Sequence, residues 1–122
     1  MQLDHTIVPA RDKHESARFL ADVLGLPDPV EMGPFVAVEV AHGLTLDFAD
    51  TEDPIRPVHY AFRVGENEFE TIFGRVVRRG LPYWADPRRS RPGEVAQRGS
   101  GRGFYFEDPS GHYLEVLTRD DV

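Results

Sequence analysis

The amino-acid sequence predicts an α+β fold of two tandem β-α-β-β-β modules that form a curved mixed sheet around a cleft. Two observations predict it. Strand and helix patterns recur in the same order in both halves of the 122-residue chain, and both helix patterns end in the same tripeptide, Gly-Leu-Pro. The length fits one domain over residues 1–122, with module one at about 1–53 and module two at about 54–122.

The first half begins with a strand pattern that has His5 at its centre. A helix follows, because Asp12 and Glu15 form a capping-box arrangement and Gly25 stands where a helix commonly ends. The elements predicted in this half are a strand over 3–8, a helix over 13–24, and strands over 35–40 and 44–48.

The second half repeats this order. Its strand carries His59, and its helix has a clean apolar stripe at helical spacing that stops at Gly80. The early landmarks repeat at an offset of 54 residues and the later ones at 68, so about fourteen extra residues fall in the segment 85–102. The predicted elements are a strand over 58–64, a helix over 66–79, and strands over 103–106 and 113–117.

Composition limits the classes of function. The chain has no cysteine, so a thiolate nucleophile is excluded and any metal must be held by nitrogen and oxygen ligands. The net charge of −7 disfavours non-specific attraction to nucleic acid or to anionic membranes. No signal-peptide pattern opens the chain and no apolar run approaches membrane length, so we expect a cytoplasmic protein.

Four polar residues fall on the sheet face that the helices leave uncovered. Alternation along the strands places His59, Asp47 and Glu115 there, and the repeat adds His5. A carboxylate on an enclosed sheet face is costly unless another group pairs with it or a metal binds it. Pseudo-twofold symmetry between the modules would bring the four positions together.

The most specific motif is an aromatic strand, an Asp-Pro-Ser-Gly-His turn and a strand that carries Glu115, over residues 103–116. With Leu-Asp-His at 3–5 and Val-His-Tyr at 58–60, it resembles the vicinal oxygen chelate superfamily. That superfamily includes glyoxalase I, extradiol dioxygenases, and the fosfomycin- and bleomycin-resistance proteins. The resemblance covers essentially the whole chain and matches least over 85–102. We interpret His112, in the turn, as structural.

The resemblance implies one divalent metal ion (Fe, Mn, Ni, Co or Zn) held by His5, His59 and Glu115. In glyoxalase-like members a fourth ligand, usually glutamate, occupies the position of Asp47, and the shorter aspartate argues against glyoxalase I. Two histidines and a carboxylate suit iron(II) oxygen chemistry and also support Lewis-acid catalysis. The candidate catalytic residues are Glu115, Asp47 and Tyr113; Tyr113 either acts as an acid or substrate-orienting group, or forms a pocket wall.

Further residues are candidates for binding substrate. Arg63 shares a predicted sheet face with His59, and Trp84 lies near the long loop, where it lines either an apolar pocket or the core. The loop over 86–102 holds five arginines and two acidic residues, a net charge of +3. It is either a lid over an anionic substrate or a solvated segment. The candidate substrate-binding residues are Arg63, Trp84, Arg102 and Tyr105.

Three classes of function remain open. The favoured one is a metal-dependent enzyme whose small, oxygen-rich substrate chelates the metal, with dioxygenase-like or lyase/isomerase-like (glyoxalase-like) chemistry. The second is a metal-free drug- or metabolite-binding protein, as in bleomycin resistance, whose members generally lack the ligand set. The third is a non-catalytic metalloprotein or immunity partner. The resemblance also implies a homodimer, so that His5 joins His59 and Glu115 either from the same chain or from a partner chain.

Overall fold

The computed structural model describes residues 1–119, whose ten elements follow the order β-α-β-β-β twice. They form two compact units: residues 1–56 with 108–111, and residues 57–107 with 112–119. The elements are β1 His5–Ala10, α1 Lys13–Leu24, β2 Val30–Met32, β3 Phe35–Ala41, β4 Leu44–Asp50, β5 His59–Arg63, α2 Glu66–Arg78, β6 Ala96–Arg98, β7 Gly101–Glu107 and β8 Tyr113–Leu117.

In the first unit the strands pair in the order β1-β4-β3-β2, with β1 parallel to β4 and the other pairs antiparallel. The Asp12 carboxylate accepts hydrogen bonds from the backbone N–H groups of His14 and Glu15 and so caps α1. Gly25 ends the helix in the left-handed conformation, with φ of 72°. The prediction for this helix is therefore confirmed at both ends.

In the second unit the order is β5-β8-β7-β6, with the same pattern of parallel and antiparallel pairs. The buried stripe of α2, formed by Phe69, Ile72 and Val76, covers one face of this sheet. The Phe69 ring meets Phe104 of β7 edge-on at 5.4 Å between centroids. This packing leaves the opposite sheet face without a helix.

The strand registers confirm the duplication. Asp47 of β4 is paired with Ile7 of β1, and Glu115 of β8 is paired with Ala61 of β5. The pairs are related by the offsets of 54 and 68 residues found in the sequence. The α+β class and the two tandem modules are thus confirmed, and the pairing distributes the strands over two four-stranded mixed sheets.

Two short strands and one turn differ from the prediction. No positions are predicted from sequence for β2 and β6, and β6 lies inside the segment interpreted as a loop. Each has only three residues, too few for alternation to be recognisable. The turn at 108–111, assigned by sequence to module two, packs with the first unit, where Ser110 Oγ accepts from the backbone N–H of Arg11 at 3.1 Å. Within residues 1–119, no helix has the length and hydropathy needed to cross a membrane.

Candidate functional site

The sheet face of module two that α2 leaves uncovered is called the Glu115 face. Strand pairing assigns residues to it, because directly paired residues in neighbouring strands point to the same side. Its members on the three longer strands include His59, Ala61, Tyr105, Tyr113 and Glu115. Ionisable side chains from β5, β7 and β8 therefore share one surface.

A histidine–carboxylate pair lies at the centre of this face. His59 Nε2 is 2.9 Å from Glu115 Oε1. Glu115 is only 5% exposed, whereas the His59 side chain is about half exposed. The Tyr105 ring lies beside the imidazole, with 5.6 Å between ring centroids. The pair thus combines a desolvated carboxylate with a nitrogen donor that remains accessible.

The buried His112 fixes the beginning of β5. Its Nδ1 accepts a hydrogen bond from the backbone N–H of Val58 at 3.0 Å, and the Val58 carbonyl accepts one from the backbone N–H of Tyr113 at 3.0 Å. These bonds hold the residue directly before His59 against the start of β8. The interpretation of His112 as structural fits this role, and its contacts explain how His59 is aimed at Glu115.

Arg98 is a site residue that the sequence did not reveal. Its guanidinium donates to Glu115 Oε2 at 2.7 Å and to the Tyr105 hydroxyl at 3.0 Å. Burial alone would lower the pKa of Arg98, but the hydrogen bonds to Glu115 and Tyr105 outweigh it and raise that pKa. The sequence feature that could have indicated this strand is the Ala-Gln-Arg tripeptide at 96–98, which precedes a glycine-containing turn. Three residues are weak evidence for a strand.

Aromatic side chains and a second arginine lie near the pair. The backbone of Trp84 exchanges two hydrogen bonds with Tyr105, at 2.9 and 2.8 Å, which places both side chains on the Glu115 face. The Arg89 guanidinium lies 4.8 Å from the centre of the Tyr113 ring and 5.4 Å from that of Trp84, and pairs with Glu107. The structure thus gathers Trp84, Tyr105 and Tyr113 on one surface.

The two other predicted arginines lie apart from each other. Arg63 is exposed on the Glu115 face, at the end of β5. Arg102 points to the helix-covered face, where its guanidinium donates to Glu66 and Glu70 and stacks over Phe69 at 4.3 Å. We therefore leave Arg102 out of the proposed site.

The corresponding surface of module one is called the Asp47 face. Asp47 is 7% exposed and accepts a hydrogen bond from the Thr45 hydroxyl at 2.8 Å. His5 is exposed, and its Nδ1 lies 2.7 Å from Asp4 Oδ2. This hydrogen bond raises the pKa of His5 above its ordinary value of 6.5, and the charge of Asp47 adds to the effect.

The Asp47 face also exposes large apolar side chains. Strand pairing places Ile7, Val30 and Met32 on it. These residues are 53%, 58% and 53% exposed, respectively. Several exposed apolar groups together on one face are typical of an interaction surface.

The donor atoms at the Glu115 face fit a divalent metal. An imidazole nitrogen and a carboxylate oxygen 2.9 Å apart are the ligand types that Fe, Mn, Co, Ni and Zn accept in the absence of thiolates. In residues 1–119 of one chain, no group of three or more His, Asp or Glu side chains is arranged to hold a metal. His5, His59 and Glu115 as a joint ligand set therefore stay a prediction.

Comparison with known proteins identifies the family. The model of the "Glyoxalase/Bleomycin resistance protein/Dioxygenase superfamily" matches residues 2–116. The solved structure of "Oxidase ChaP-H1" is 54% identical, with a TM-score of 0.95 over 98% of this chain and 97% of that one. The glutathione transferase FosA of Serratia marcescens is 26% identical over 93% of this chain and 78% of its own length. The metallothiol transferase FosB of Shouchella clausii is 35% identical over 49% of this chain and 37% of its own length. The chain belongs to the Glyoxalase/Bleomycin resistance protein/Dioxygenase superfamily.

Proposed function

We propose that this protein is a divalent-metal-dependent enzyme that oxidises a small, oxygen-rich substrate. The observation that carries the proposal is the contact between His59 Nε2 and the buried Glu115 carboxylate at 2.9 Å. The 54% identity with a protein named an oxidase, over nearly the full length of both chains, favours oxidation over the other reactions of the superfamily.

His5, His59 and Glu115 are the proposed metal ligands. Two histidines and one carboxylate would hold the metal without filling its coordination positions, and the metal would supply Lewis-acid chemistry that polarises oxygen atoms of the substrate. Asp47 is the proposed fourth position, with its carboxylate held by Thr45. Nitrogen and oxygen donors of this kind support Fe or Mn as well as Co, Ni or Zn.

The side chains of the Glu115 face would bind and orient the substrate. Trp84 and Tyr105 offer aromatic surface on the same side as the His59–Glu115 pair. Tyr113 presents a phenolic group two residues from Glu115, at a position from which it orients or protonates a substrate oxygen. Arg63 at the exposed end of β5 is the proposed partner for an anionic part of the substrate.

The experiment is metal analysis of the protein purified without chelators, followed by reloading of metal-free protein with Fe²⁺, Mn²⁺ or Co²⁺. We expect stoichiometric metal in the wild type and its loss in His59→Ala, with melting curves to verify folding. A wild-type protein that binds none of these ions would overturn the proposal. Ligand binding that persists unchanged in EDTA would instead support a metal-free binding protein.

Substrate screening separates the reactions within the superfamily. The metal-loaded protein would be tested for oxygen consumption with catechols and other oxygen-rich aromatic compounds, and for glutathione transfer to fosfomycin. Oxygen uptake that requires both the metal and His59 supports the proposal. Glutathione transfer without oxygen uptake would reassign the enzyme to the chemistry named for the FosA relative.

We further propose a homodimer. Ile7, Val30 and Met32 expose apolar surface on the same face as His5, and a second copy of the chain would cover this surface. Sedimentation or light scattering measures the mass. A monomer at micromolar concentration would contradict this proposal, and a metal-binding monomer would require all three ligands to come from one chain.

Mixed dimers test how the ligands are divided between the chains. A His5→Ala chain and a His59→Ala chain, carrying different tags, are co-expressed and the mixed species is purified. If His5 of one chain joins His59 and Glu115 of the other, the mixed dimer has one intact site and binds one metal, although neither parent homodimer binds any. If all three ligands come from one chain, the mixed dimer binds none.

A further inference from the structure

The contacts of Arg98 divide the two oxygens of Glu115 between two partners. The guanidinium Nη1 donates to Oε2 at 2.7 Å, whereas Oε1 faces His59 Nε2 at 2.9 Å. A second guanidinium nitrogen, Nη2, donates to the Tyr105 hydroxyl at 3.0 Å, and the group lies over the Tyr105 ring at 5.6 Å from its centre. Arg98 is therefore anchored at two points beside the proposed metal ligand.

Two glycines leave the space through which Arg98 reaches Glu115. Arg98 on β6 is paired with Gly101 on β7, and Gly103 follows on the same face, so no side chain stands between β6 and β8 there. A Cβ at Gly101 would lie 2.1 Å from the Thr118 carbonyl oxygen, too close for any other residue without a shift of the strand. Close backbone packing thus accounts for the glycine at position 101.

The burial of the partners distinguishes this ion pair from an ordinary surface pair. The Glu115 side chain is 7% exposed, while Arg98 keeps 41% of its own side chain exposed. Exposed pairs contribute little, because water competes for both groups. Here the carboxylate has lost most of its water, so the guanidinium replaces solvent for one of its oxygens.

From this geometry, which rests on the proposed function, we infer that Arg98 is a positioning residue that restricts Glu115 to binding the metal through Oε1 alone. With Oε2 engaged by the guanidinium, the carboxylate offers a single oxygen next to His59. One-oxygen ligation leaves a coordination position free for a second substrate oxygen. Outer-shell partners of this kind orient ligands and affect metal affinity.

The test uses the full-length protein loaded with Co²⁺, whose visible absorption reports the number of ligand atoms. Arg98→Met removes both contacts at similar length, and Arg98→Lys keeps a charge that reaches only one partner. The control is Arg91→Met, because Arg91 makes an ion pair with Glu94 in an exposed loop. Dissociation constants, the Co²⁺ spectrum and melting curves are compared.

We expect Arg98→Met to weaken Co²⁺ binding by about 10- to 100-fold, because Glu115 is no longer held in position. The Co²⁺ spectrum should also change, because both carboxylate oxygens are then free to bind the metal. Arg98→Lys should recover part of the affinity, and Arg91→Met should match the wild type. Metal-free crystals of Arg98→Met should show Glu115 turned away from its position beside His59. If Arg98→Met does not fold, the Co²⁺ absorption spectrum of Arg98→Lys is compared with that of the wild type, and an unchanged spectrum overturns the inference.

Two results have different meanings. If the wild type binds Co²⁺ and the Arg98 variants retain its affinity and spectrum, this inference is overturned while the proposed function stands. If the wild type binds no Co²⁺, the proposed function fails and the inference fails with it.

Discussion

The two modules share one backbone plan but differ in what their carboxylates contact. In module two, Glu115 meets both His59 and Arg98, whereas in module one Asp47 accepts from Thr45 and His5 bonds with Asp4. Asp47 and Glu115 occupy matching register positions, so the difference comes from the neighbouring side chains and from β6, which brings Arg98 to Glu115. A duplicated fold thus preserves the location of a site while a change of one methylene and of the neighbours changes its chemistry.

The largest expected effect on metal affinity comes from replacing the Glu115 carboxylate by an amide, and the matching change at Asp47 provides the comparison. Glu115→Gln keeps the shape but removes the charge, and we expect metal affinity to fall by more than about 100-fold, the upper range for an outer-shell change. Asp47→Asn should cost less than about tenfold, because Asp47 is not in contact with the strand histidine of its module. Calorimetric titration of metal-free protein with Mn²⁺ or Co²⁺ measures both. Equal losses of metal affinity in the two variants would show that Glu115 and Asp47 contribute equally to metal binding, contrary to this prediction.

The second comparison concerns the starts of β1 and β5. The backbone N–H of Thr45 donates to Asp4 just as that of Tyr113 donates to Val58, but only module two adds the bond from Val58 to His112. His112 corresponds to Leu44 in module one by the offset of 68 residues.

His112→Leu therefore converts module two to the arrangement of module one. We expect the free energy of unfolding of the metal-free protein to fall by about 1–3 kcal/mol, because the Val58 N–H loses its partner next to a buried side chain. Urea denaturation measures this, with His42→Leu in an exposed turn as the control. If the free energy of unfolding stays within about 0.5 kcal/mol of the wild-type value, the bond from Val58 to His112 does not stabilise the beginning of β5.

Most of the fold could be predicted because it depends on long, periodic segments. The helix over 13–24 and the strand over 113–117 have the predicted bounds, since apolar spacing, capping residues and turn motifs agree there. The short strands β2 and β6 could not be located, because three mostly exposed residues carry no period.

The candidate site was predictable only in part, and for a similar reason. Glu115 and His59 stood out as polar residues in apolar strands, and their contact follows from pairing between β5 and β8. Arg98 did not stand out among the arginines of its segment, because its role depends on β6 pairing with a glycine-rich strand. Arg102 has the same charge in the same region but alternation directs it to α2 instead.

Lengthening the carboxylate of module one sharpens the comparison of the two sites. Asp47→Glu restores the glutamate usual at this position in glyoxalase-like members, and its extra methylene carries the carboxylate beyond Thr45. We expect metal affinity to rise by about 2- to 10-fold, the equivalent of one further net polar contact. Asp28→Glu, in an exposed segment, is the control in the same titration. A drop in affinity would indicate that the buried position has no space for the longer side chain.

The smallest effect is expected in the inserted segment that only module two possesses. The Asp86 carboxylate accepts from the Ser90 hydroxyl at 2.6 Å and from the backbone N–H groups of Ser90 and Arg91 at 3.0 Å each. These bonds, led by that of the Ser90 hydroxyl, lower the pKa of Asp86 below its ordinary value of 3.8. They also close the turn in which Arg89 takes a left-handed conformation, with φ of 59°.

A pKa lowered by folding has a defined consequence for pH dependence. The turn is more stable when Asp86 is ionised, so its contribution is complete above the ordinary carboxyl pKa and is lost as the pH falls through the lower folded value. We expect the amide resonances of Ser90 and Arg91 to shift at acidic pH, and this step to vanish in Asp86→Asn. Because Arg89 meets Tyr113 and Trp84 from this turn, the same acid step should change Trp84 fluorescence. If the fluorescence stays constant while the amide resonances shift, protonation of Asp86 does not affect the aromatic residues of the Glu115 face. The difference between the modules would then depend on the residues of the strands and not on the inserted turn.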